Sequence, residues 1–400
     1  MDWLILCFIS FCTGMLILYF LVVPVHRING ALLSASFSFC ALVIFTVARM
    51  ANWIAAAVLI LPTLAVGYSL AAWIELSRRE KRNLSPITRR KGDPGKGHRA
   101  VIYFTHGEPE FYDPQCWINQ FREFDEQRIR FIPFLARPFF LFNLRRRYLL
   151  VGRSDHRGMH TRMLKTLVQS WRSDGDLSTR FYLSFLEIAP RPDEMVIRAI
   201  NEGANEIILL EVFLTQSNHT AEGENLVKAI NLEELGIGLR FTRPLWDSTT
   251  LQRSFVEKAL EENPGESLEN VGVLLVGHGQ PEEWDVEFAT ETQQETGFRI
   301  GILEKLEKEG FLRENIGMAW MEFREPKPAG RVEEMLRRGV EKVLIFSTAI
   351  SADGLHSQYD VPMLAAKSRI DAGKRLINLG GWNDHPLVIQ ALKERLQEVL

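Results

Sequence analysis

Two histidines in the second half of this 400-residue chain stand where a ligand site could form. His278 lies between two glycines directly after the apolar run Val271–Val276, and His356 follows a second run, Val343–Ser347. In open parallel sheets, ligands bind at the carboxyl ends of the strands. A neutral imidazole binds a divalent metal or accepts a proton near neutral pH, because its unperturbed pKa is ~6.5. These residue types therefore indicate metal binding or proton transfer, and the alternative is that both are turn histidines without chemistry.

The first half of the chain repeats this arrangement. The turn HGEP at His106 matches the turn HGQP at His278, and His219 follows an apolar run as His356 does. We predict that one βα unit was duplicated to give two similar lobes that face a cleft. His106 and His219 are then either a possible second functional pair or remnants of the duplication, and we favour remnants.

Glutamates also occur in patterns. Glu187 and Glu322 occupy matching places in the repeat, each shortly before a proline. They either orient or ligate within the cleft or cap the next helix, and for Glu322 we favour the structural role. A further set recurs every four residues and would line one face of a helix: Glu283, Glu287, Glu291 and Glu295. That face would guide a cation toward His278 or, as we favour, form a solvated outer face.

Strand-like and helix-like segments alternate from residue 100 onward, which is typical of an α/β fold with parallel sheets. We predict two similar Rossmann-like lobes, residues 100–245 and 246–400, preceded by three transmembrane helices. The C-terminal lobe would carry the catalytic histidine. The chain has four cysteines and no Cys-x-x-Cys pair, so we expect neither a disulfide framework nor a cysteine-held cluster.

The N-terminal block is almost entirely apolar. Three stretches, Trp3–Val23, Ala31–Val47 and Trp53–Ile74, predict a three-span anchor over residues 1–76. A cleaved signal peptide does not fit the first stretch, which lacks a basic n-region and is too long. A basic juxtamembrane linker follows over residues 77–99.

The basic linker predicts the orientation of the chain. By the positive-inside rule the N-terminus is outside and the soluble domain faces the cytoplasm, so we expect a multi-pass protein of the inner (cytoplasmic) membrane. The formal net charge of −3 does not favour a nucleic-acid partner. We therefore assign the basic residues to contact with membrane lipid.

The motifs resemble the class II tetrapyrrole metal chelatases, which are the ferrochelatases and the sirohydrochlorin cobalt and iron chelatases, over most of residues 100–390. The HGQP turn at His278 is similar to the family's catalytic turn, and Gly354–Pro362 is similar to its second active-site segment. The resemblance implies that His278 is the proton acceptor and primary metal contact and that His356 is the second metal ligand. It also implies the substrate-binding residues Tyr148, Ser154, Gln216, Ser217, Gly279 and Pro281.

The resemblance implies a membrane-anchored, ferrochelatase-like lyase that inserts a divalent metal, preferably Fe²⁺, into a porphyrin in haem biosynthesis. Ferrochelatases carry glutamate where His356 aligns, whereas cobaltochelatases carry histidine. The alternative is therefore a cobalt, nickel or iron chelatase acting on sirohydrochlorin or a related corrinoid precursor. A third alternative is a non-catalytic tetrapyrrole-binding carrier. The metal (Fe²⁺, or alternatively Co²⁺ or Ni²⁺) would be a substrate, with no tightly bound cofactor, and a homodimer or a pathway-enzyme partner stays open.

An aromatic-rich run, Phe131–Tyr148, contains two prolines and three consecutive arginines. In ferrochelatases the corresponding region forms a lip that covers the porphyrin and touches the membrane. We interpret the run as a membrane-facing mouth for a hydrophobic tetrapyrrole. Its prolines and arginines argue against a regular buried element.

Overall fold

Helices and strands alternate along most of the chain. The computed structural model describes residues 2–49, 52–80, 82–126, 129, 132–265, 267–368 and 375–400, with backbone only at 287–289 and 375. The helices in this part are α1 (Asp2–Val22), α2 (Ile28–Arg49), α3 (Trp53–Leu76), α4 (Pro114–Glu126), α5 (Arg137–Val151), α6 (His156–Ser173), α7 (Pro192–Asn201), α8 (Asn218–Lys228), α9 (Thr249–Glu261), α10 (Asp285–Lys308), α11 (Pro328–Arg337), α12 (Val361–Ala366) and α13 (Pro386–Gln397). The strands are β1 (His98–Thr105), β2 (Arg180–Phe185), β3 (Ala204–Glu211), β4 (Gly238–Phe241), β5 (Val271–Gly277), β6 (Ile316–Trp320), β7 (Lys342–Ser347) and β8 (Arg375–Gly380).

The strands form two parallel four-stranded sheets with the same order. The first sheet runs β2-β1-β3-β4 and the second β6-β5-β7-β8. All paired strands are parallel. β1 and β5 are inner strands, and every residue of β5 is buried, which explains its continuous apolar sequence. The predicted α/β fold with two similar parallel-sheet lobes is confirmed.

The two sheets share one hydrophobic core. Tyr103 and Leu210 of the first sheet belong to the same buried cluster as Leu275 and Phe346 of the second. Aromatic side chains between the sheets, such as Phe255, complete the cluster. Packing at protein density makes such a core resistant to deformation, so it fixes one sheet relative to the other.

The chain divides into two compact units that interrupt each other in sequence. One contains Met1–Arg82 and Phe111–Arg153, and the other contains Asn83–Glu110 and Ser154–Leu400. Residues 111–153, which fall within the predicted lobe 100–245, thus group with the N-terminal helices, and the predicted domain bounds stay a prediction. The inserted segment leaves and returns at one point, where the N–H of Ser154 donates to the carbonyl of Glu110 at 2.9 Å.

The first unit contains three helices that are long and apolar enough to cross a membrane, over Asp2–Val22, Val25–Arg49 and Trp53–Leu76. Gly14 of α1 and Gly67 of α3 lie at their contact. A Cβ atom added at Gly14 would overlap the carbonyl of Leu64, and one at Gly67 would overlap the carbonyl of Phe11. Small residues allow this close backbone approach between membrane helices.

The aromatic-rich run is a regular helix with a buried face, contrary to our expectation, although Phe131 lies outside the described residues. Pro138 stands in the first turn of α5, where a helix needs no N–H donor. Arg145 is fully buried because its guanidinium donates to the carbonyls of Phe20 (2.7 Å) and Val23 (2.9 Å) at the end of α1. The expectation failed for two reasons. Pro138 is tolerated because of its position in the first turn, and Arg145 is buried because its partners lie far away in sequence.

We predict that Gly67→Ala destabilises the first unit by roughly 1–3 kcal/mol, the usual cost of overpacking, because the new methyl group meets the backbone of α1. Gly30→Ala in α2 is the matched control, since nothing lies within 4 Å of a Cβ at that position. The measurement is the midpoint of thermal unfolding of the full chain in detergent. Equal midpoints for the two variants would contradict the predicted close packing.

Candidate functional site

The two inner strands deliver one histidine each to the site. His106 directly follows β1 and His278 directly follows β5. The neighbouring strand of each sheet continues the pairing for a short distance, so the N–H of Glu187 donates to the carbonyl of His106 (2.9 Å) and that of Glu322 to the carbonyl of His278 (3.0 Å). Each histidine is therefore fixed beside a glutamate by the main chain.

Three potential metal ligands meet in the first half of the site. The ligand atoms of His106, Glu187 and His219 all lie within 4.8 Å of one another, and this is the only such His/Cys/Asp/Glu group among the described residues. Metal–ligand bonds of about 2.0–2.2 Å place two ligand atoms at most about 4.3 Å apart. The three side chains are therefore close enough to be a candidate metal site. The pair that we interpret as duplication remnants belongs to this group, and its role stays a prediction.

Hydrogen bonds select the free nitrogen of two histidines. Nδ1 of His106 lies 2.8 Å from the carbonyl oxygen of Gly107, and Nδ1 of His278 lies 2.7 Å from that of Gly279. A carbonyl only accepts, so Nδ1 carries the proton and Nε2 keeps the lone pair when the ring is neutral. Both rings are thereby prepared to bind a metal or accept a proton through Nε2.

The second histidine pair differs in its surroundings. The rings of His278 and His356 are 5.8 Å apart between centroids, compared with 4.8 Å for His106 and His219. His356 begins a short π-helical turn that continues to Asp360, and its Nδ1 lies 2.8 Å from that carboxylate. The structure therefore brings together the two histidines that the sequence selected and adds an acidic partner to one of them.

The two halves of the site differ in charge. Burial lowers the pKa of His106 to about 4, and repulsion from His278 and His356 adds to this effect. Burial likewise holds the pKa of His219 well below its usual value. Burial also opposes protonation of His356, but its hydrogen bond to Asp360 and nearby carboxylates outweigh this and raise its pKa to about 9. At neutral pH the first pair is uncharged, whereas His356 is an imidazolium.

A buried carboxylate beneath the turn supports His278. The N–H of His278 donates to Glu295 at 2.6 Å, and Glu295 is only 2% exposed. Arg299, equally buried, lies 3.8 Å from the ring of Trp320. A Cβ at Gly277 would lie 2.5 Å from the Glu295 carboxylate, so a larger residue there would have to displace that side chain.

The acidic stripe on α10 is thus not a purely solvated outer face, which corrects our preferred interpretation. Glu295 faces the protein interior, and burial raises the pKa of Glu291 to about 8. Glu283 is exposed, and the side chain of Glu287 lies outside the described part. Periodicity placed these residues on one helix face but could not say which face packs against the sheet.

The two lobes are linked beside His356 by a carboxylate that sequence reasoning missed. Glu108, two residues after His106, accepts the N–H of Leu355 at 2.9 and 3.1 Å. The Ser154 hydroxyl also hydrogen-bonds to Glu108. Ser154, which we expect to bind substrate, is 4% exposed. Its hydrogen bond to Glu108 helps to hold the connection between the lobes.

Two more histidines that sequence reasoning did not assign lie deeper. The rings of His156 and His160 are 4.6 Å apart, and both residues are buried. His160 is held by the hydroxyl of Tyr103 at 2.9 Å. Burial lowers the pKa of His160 to about 3 and that of His156 well below its usual value, so both are neutral. The signal was the pair of histidines spaced four residues apart on one helix.

The other predicted substrate-binding residues occupy varied positions. Tyr148 belongs to the first unit, where it is 2% exposed and packs against Tyr112. Ser217 is the N-cap of α8, and the N–H of the exposed Gln216 donates to Gln294 at 2.9 Å. In the second half, Gly279 has a positive φ of 82° and Pro281 precedes a 3₁₀ turn. Gln216 and Ser217 thus lie within three residues of His219, and Gly279 and Pro281 lie within three residues of His278.

Comparisons with known proteins found similarity in three dimensions only. No protein-family profile matches the chain, and no curated protein matches its sequence. SirB from Bacillus subtilis with Fe³⁺ aligns with a TM-score of 0.47 and 14% identity over 75% of this chain and 95% of that one. The sirohydrochlorin chelatase SirB from Bacillus subtilis subspecies spizizenii in complex with cobalt aligns with a TM-score of 0.44 and 12% identity, covering 75% and 94%. CbiX, described as the terminal enzyme for biosynthesis of sirohaem in denitrifying bacteria, gives 0.39 and 14%, covering 76% and 100%.

We predict that Asp360→Asn lowers the pKa of His356 from about 9, because the hydrogen-bonded acidic partner is lost while burial, which opposes protonation, stays. The folded-state pKa lies above the unfolded value. Protonation of His356 therefore stabilises the fold fully below about pH 6.5, and this contribution is lost as pH rises through about 9. NMR titration of ¹³C-labelled histidines, assigned with His356→Gln, measures the shift. An unchanged His356 resonance in the Asn variant would contradict the assignment.

Proposed function

We propose that this chain is a membrane-anchored metal chelatase, a lyase that inserts a divalent metal into a tetrapyrrole. The observation that carries the proposal is the group His106, Glu187 and His219 beside the pair His278 and His356. Metal insertion needs a weakly held ion and groups that accept two protons from pyrrole nitrogens. Three protein ligands leave a metal with open positions for exchange. The resemblance of the HGQP turn to chelatases supports the same reaction.

The charges divide the work between the halves. In the proposal, the imidazoles of His106 and His219 and the carboxylate of Glu187 hold the metal. The two neutral imidazoles do not repel a cation, and the carboxylate attracts it. His278 accepts one pyrrole proton at Nε2, which the bond from Nδ1 to Gly279 leaves open, and the second proton goes to Glu187 or His219 once the metal has left that ligand for the ring. The His356 imidazolium pairs with a carboxylate of the tetrapyrrole. The alternative metal site, His278 with His356, requires His356 to lose its proton first.

The proposed location is the inner (cytoplasmic) membrane, with the soluble part in the cytoplasm. Three helices of spanning length support attachment to a membrane. Arg78 and Arg79 follow directly after α3, and cytoplasmic flanks of membrane spans are enriched in such residues.

The preferred substrates are a porphyrin and Fe²⁺, as in haem biosynthesis. Membrane attachment supports this choice, because a porphyrin with few carboxylates is more lipophilic than sirohydrochlorin. A second candidate is a cobalt, nickel or iron chelatase that acts on sirohydrochlorin or a related corrinoid precursor. His356 favours this candidate, because cobaltochelatases carry histidine at the aligned position whereas ferrochelatases carry glutamate. Imidazole suits Fe, Co, Ni and Zn alike, so the ligand type leaves the metal open. A carrier that binds a tetrapyrrole without turnover is the non-enzymatic alternative.

We predict that the full chain in detergent converts one pairing from a panel of protoporphyrin, coproporphyrin and sirohydrochlorin with Fe²⁺, Co²⁺ or Ni²⁺, followed by absorbance. His278→Ala should lower turnover about 10²–10⁴-fold, the usual contribution of a general base, while tetrapyrrole binding persists. A stoichiometric spectral shift without turnover would indicate a carrier. Full turnover by His278→Ala would remove the proposed proton acceptor.

We further predict that Glu187→Gln and His219→Ala each weaken Co²⁺ binding about tenfold or more, measured by calorimetry without tetrapyrrole. Each variant removes a direct metal ligand, and even the loss of a hydrogen-bond partner of a ligand costs about 10–100-fold in affinity. His356→Ala should leave affinity within about threefold, and His26→Ala, an exposed histidine between α1 and α2, is the control. The reverse order, with loss in His356→Ala only, would transfer the metal to the second histidine pair.

A further inference from the structure

An apolar surface on the first unit lies outside the three long helices. Leu135 is 48% exposed and Phe139 is 54% exposed. They stand in the turn before α5 and at its first turn. Both positions adjoin Tyr68 of α3. Exposed leucine and phenylalanine side chains that adjoin each other form an apolar patch, and such patches mark sites of contact with a membrane or another protein.

Contacts with α3 set the depth of this surface. The Tyr68 hydroxyl donates to the carbonyl of Leu135 at 2.9 Å, and the rings of Tyr68 and Phe139 stack with centroids 6.2 Å apart. Tyr68 precedes Leu76, the last residue of α3, by about 12 Å of helix. α3 has 24 residues and is about 36 Å long, slightly longer than the ~30 Å hydrocarbon core, so Tyr68 lies within the hydrocarbon when α3 spans the bilayer. A hydroxyl there needs an internal acceptor, which the Leu135 carbonyl provides.

The rest of α5 rises toward the end of the spans. Arg145 donates to the carbonyls of Phe20 and Val23, where α1 ends. The Tyr112 hydroxyl donates to Val22 at the same level, 3.1 Å away. The exposed Arg146 lies about 10 Å along the helix from Phe139. That distance nearly equals the depth of Tyr68, so Arg146 lies near the level of the lipid headgroups.

We propose that residues 133–146 form a fourth membrane element, a half-inserted segment whose exposed apolar side chains contact lipid acyl chains. Continuity with the three spans selects lipid as the occupant. The segment belongs to the same compact unit, and Tyr68 joins its deepest part to α3. The insertion depends only on contacts within this unit, so it holds whether or not the chain is a chelatase.

The test uses the unaltered full chain in nanodiscs of phosphatidylcholine and phosphatidylglycerol (3:1) that contain a phosphatidylcholine with a diazirine in its acyl chain. After illumination, mass spectrometry maps the labelled peptides. We expect labelling of residues 133–146 at least about fivefold above the peptide with Leu177, a leucine of the other unit that is 76% exposed. Labelling no greater than that of the Leu177 peptide, with the three spans labelled, overturns the proposal.

A second measurement resolves individual positions. Nitroxides at Leu135→Cys and Phe139→Cys, in a chain whose native cysteines Cys7, Cys12, Cys40 and Cys116 are changed to Ala, report collision with O₂ and with a water-soluble nickel chelate. We expect O₂ to dominate at both sites and the nickel chelate to dominate at Leu177→Cys. Nickel access at 135 and 139, or shielding from both reagents as under a protein partner or a second copy, overturns lipid contact. If the cysteine-free chain does not fold, the labelling of the unaltered chain decides.

Discussion

The main-chain bond from Glu187 to the carbonyl of His106, with its counterpart from Glu322 to His278, is the constraint on which the candidate site depends. Each bond extends the pairing of an inner strand beyond its last residue and holds the backbone of the histidine, while the contact of Nδ1 with the next carbonyl orients the ring. The shared core then fixes the two sheets relative to each other. Histidines 172 positions apart in the chain therefore reach one site without long flexible loops.

The two sheets have the same strand order, and single residue types make the two halves electrostatically different. Four positions after His356 stands Asp360, whose carboxylate holds a proton on the imidazole. Four positions after His219 stands Gly223, where a Cβ would overlap the ring of Phe104. No acidic side chain fits there, and burial holds the pKa of His219 well below its usual value, so its ring is neutral.

Much of the fold could be predicted from sequence because its signals are local or repeated. The continuous apolar run of β5 and the matching segments before His219 and His356 predicted two parallel-sheet lobes. The residues of the site were harder, since contact between His106, Glu187 and His219 depends on which strands are neighbours. The charge of His356 required knowing that a π-helical turn places Asp360 against it.

The helix α5 also shows that burial cannot be predicted when it depends on partners that are distant in sequence. Its arginines appeared unsuited to burial, yet Arg145 is buried because the end of a helix far away in sequence offers it two carbonyls. Likewise, a four-residue spacing placed Glu295 on a helix face, but only packing against Gly277 shows that this face points inward.

The hydrogen bond between Ser154 and Glu110 makes residues 111–153 a closed excursion from the sheet-containing unit. The chain departs and rejoins at adjacent backbone atoms, after β1 is complete and before α6 begins. A short splice at this point, combined with removal of residues 1–82, would leave every strand of both sheets uncut. The helices of spanning length and both parallel sheets therefore belong to separate units, and only two stretches of chain, 1–82 and 111–153, make up the unit with the helices.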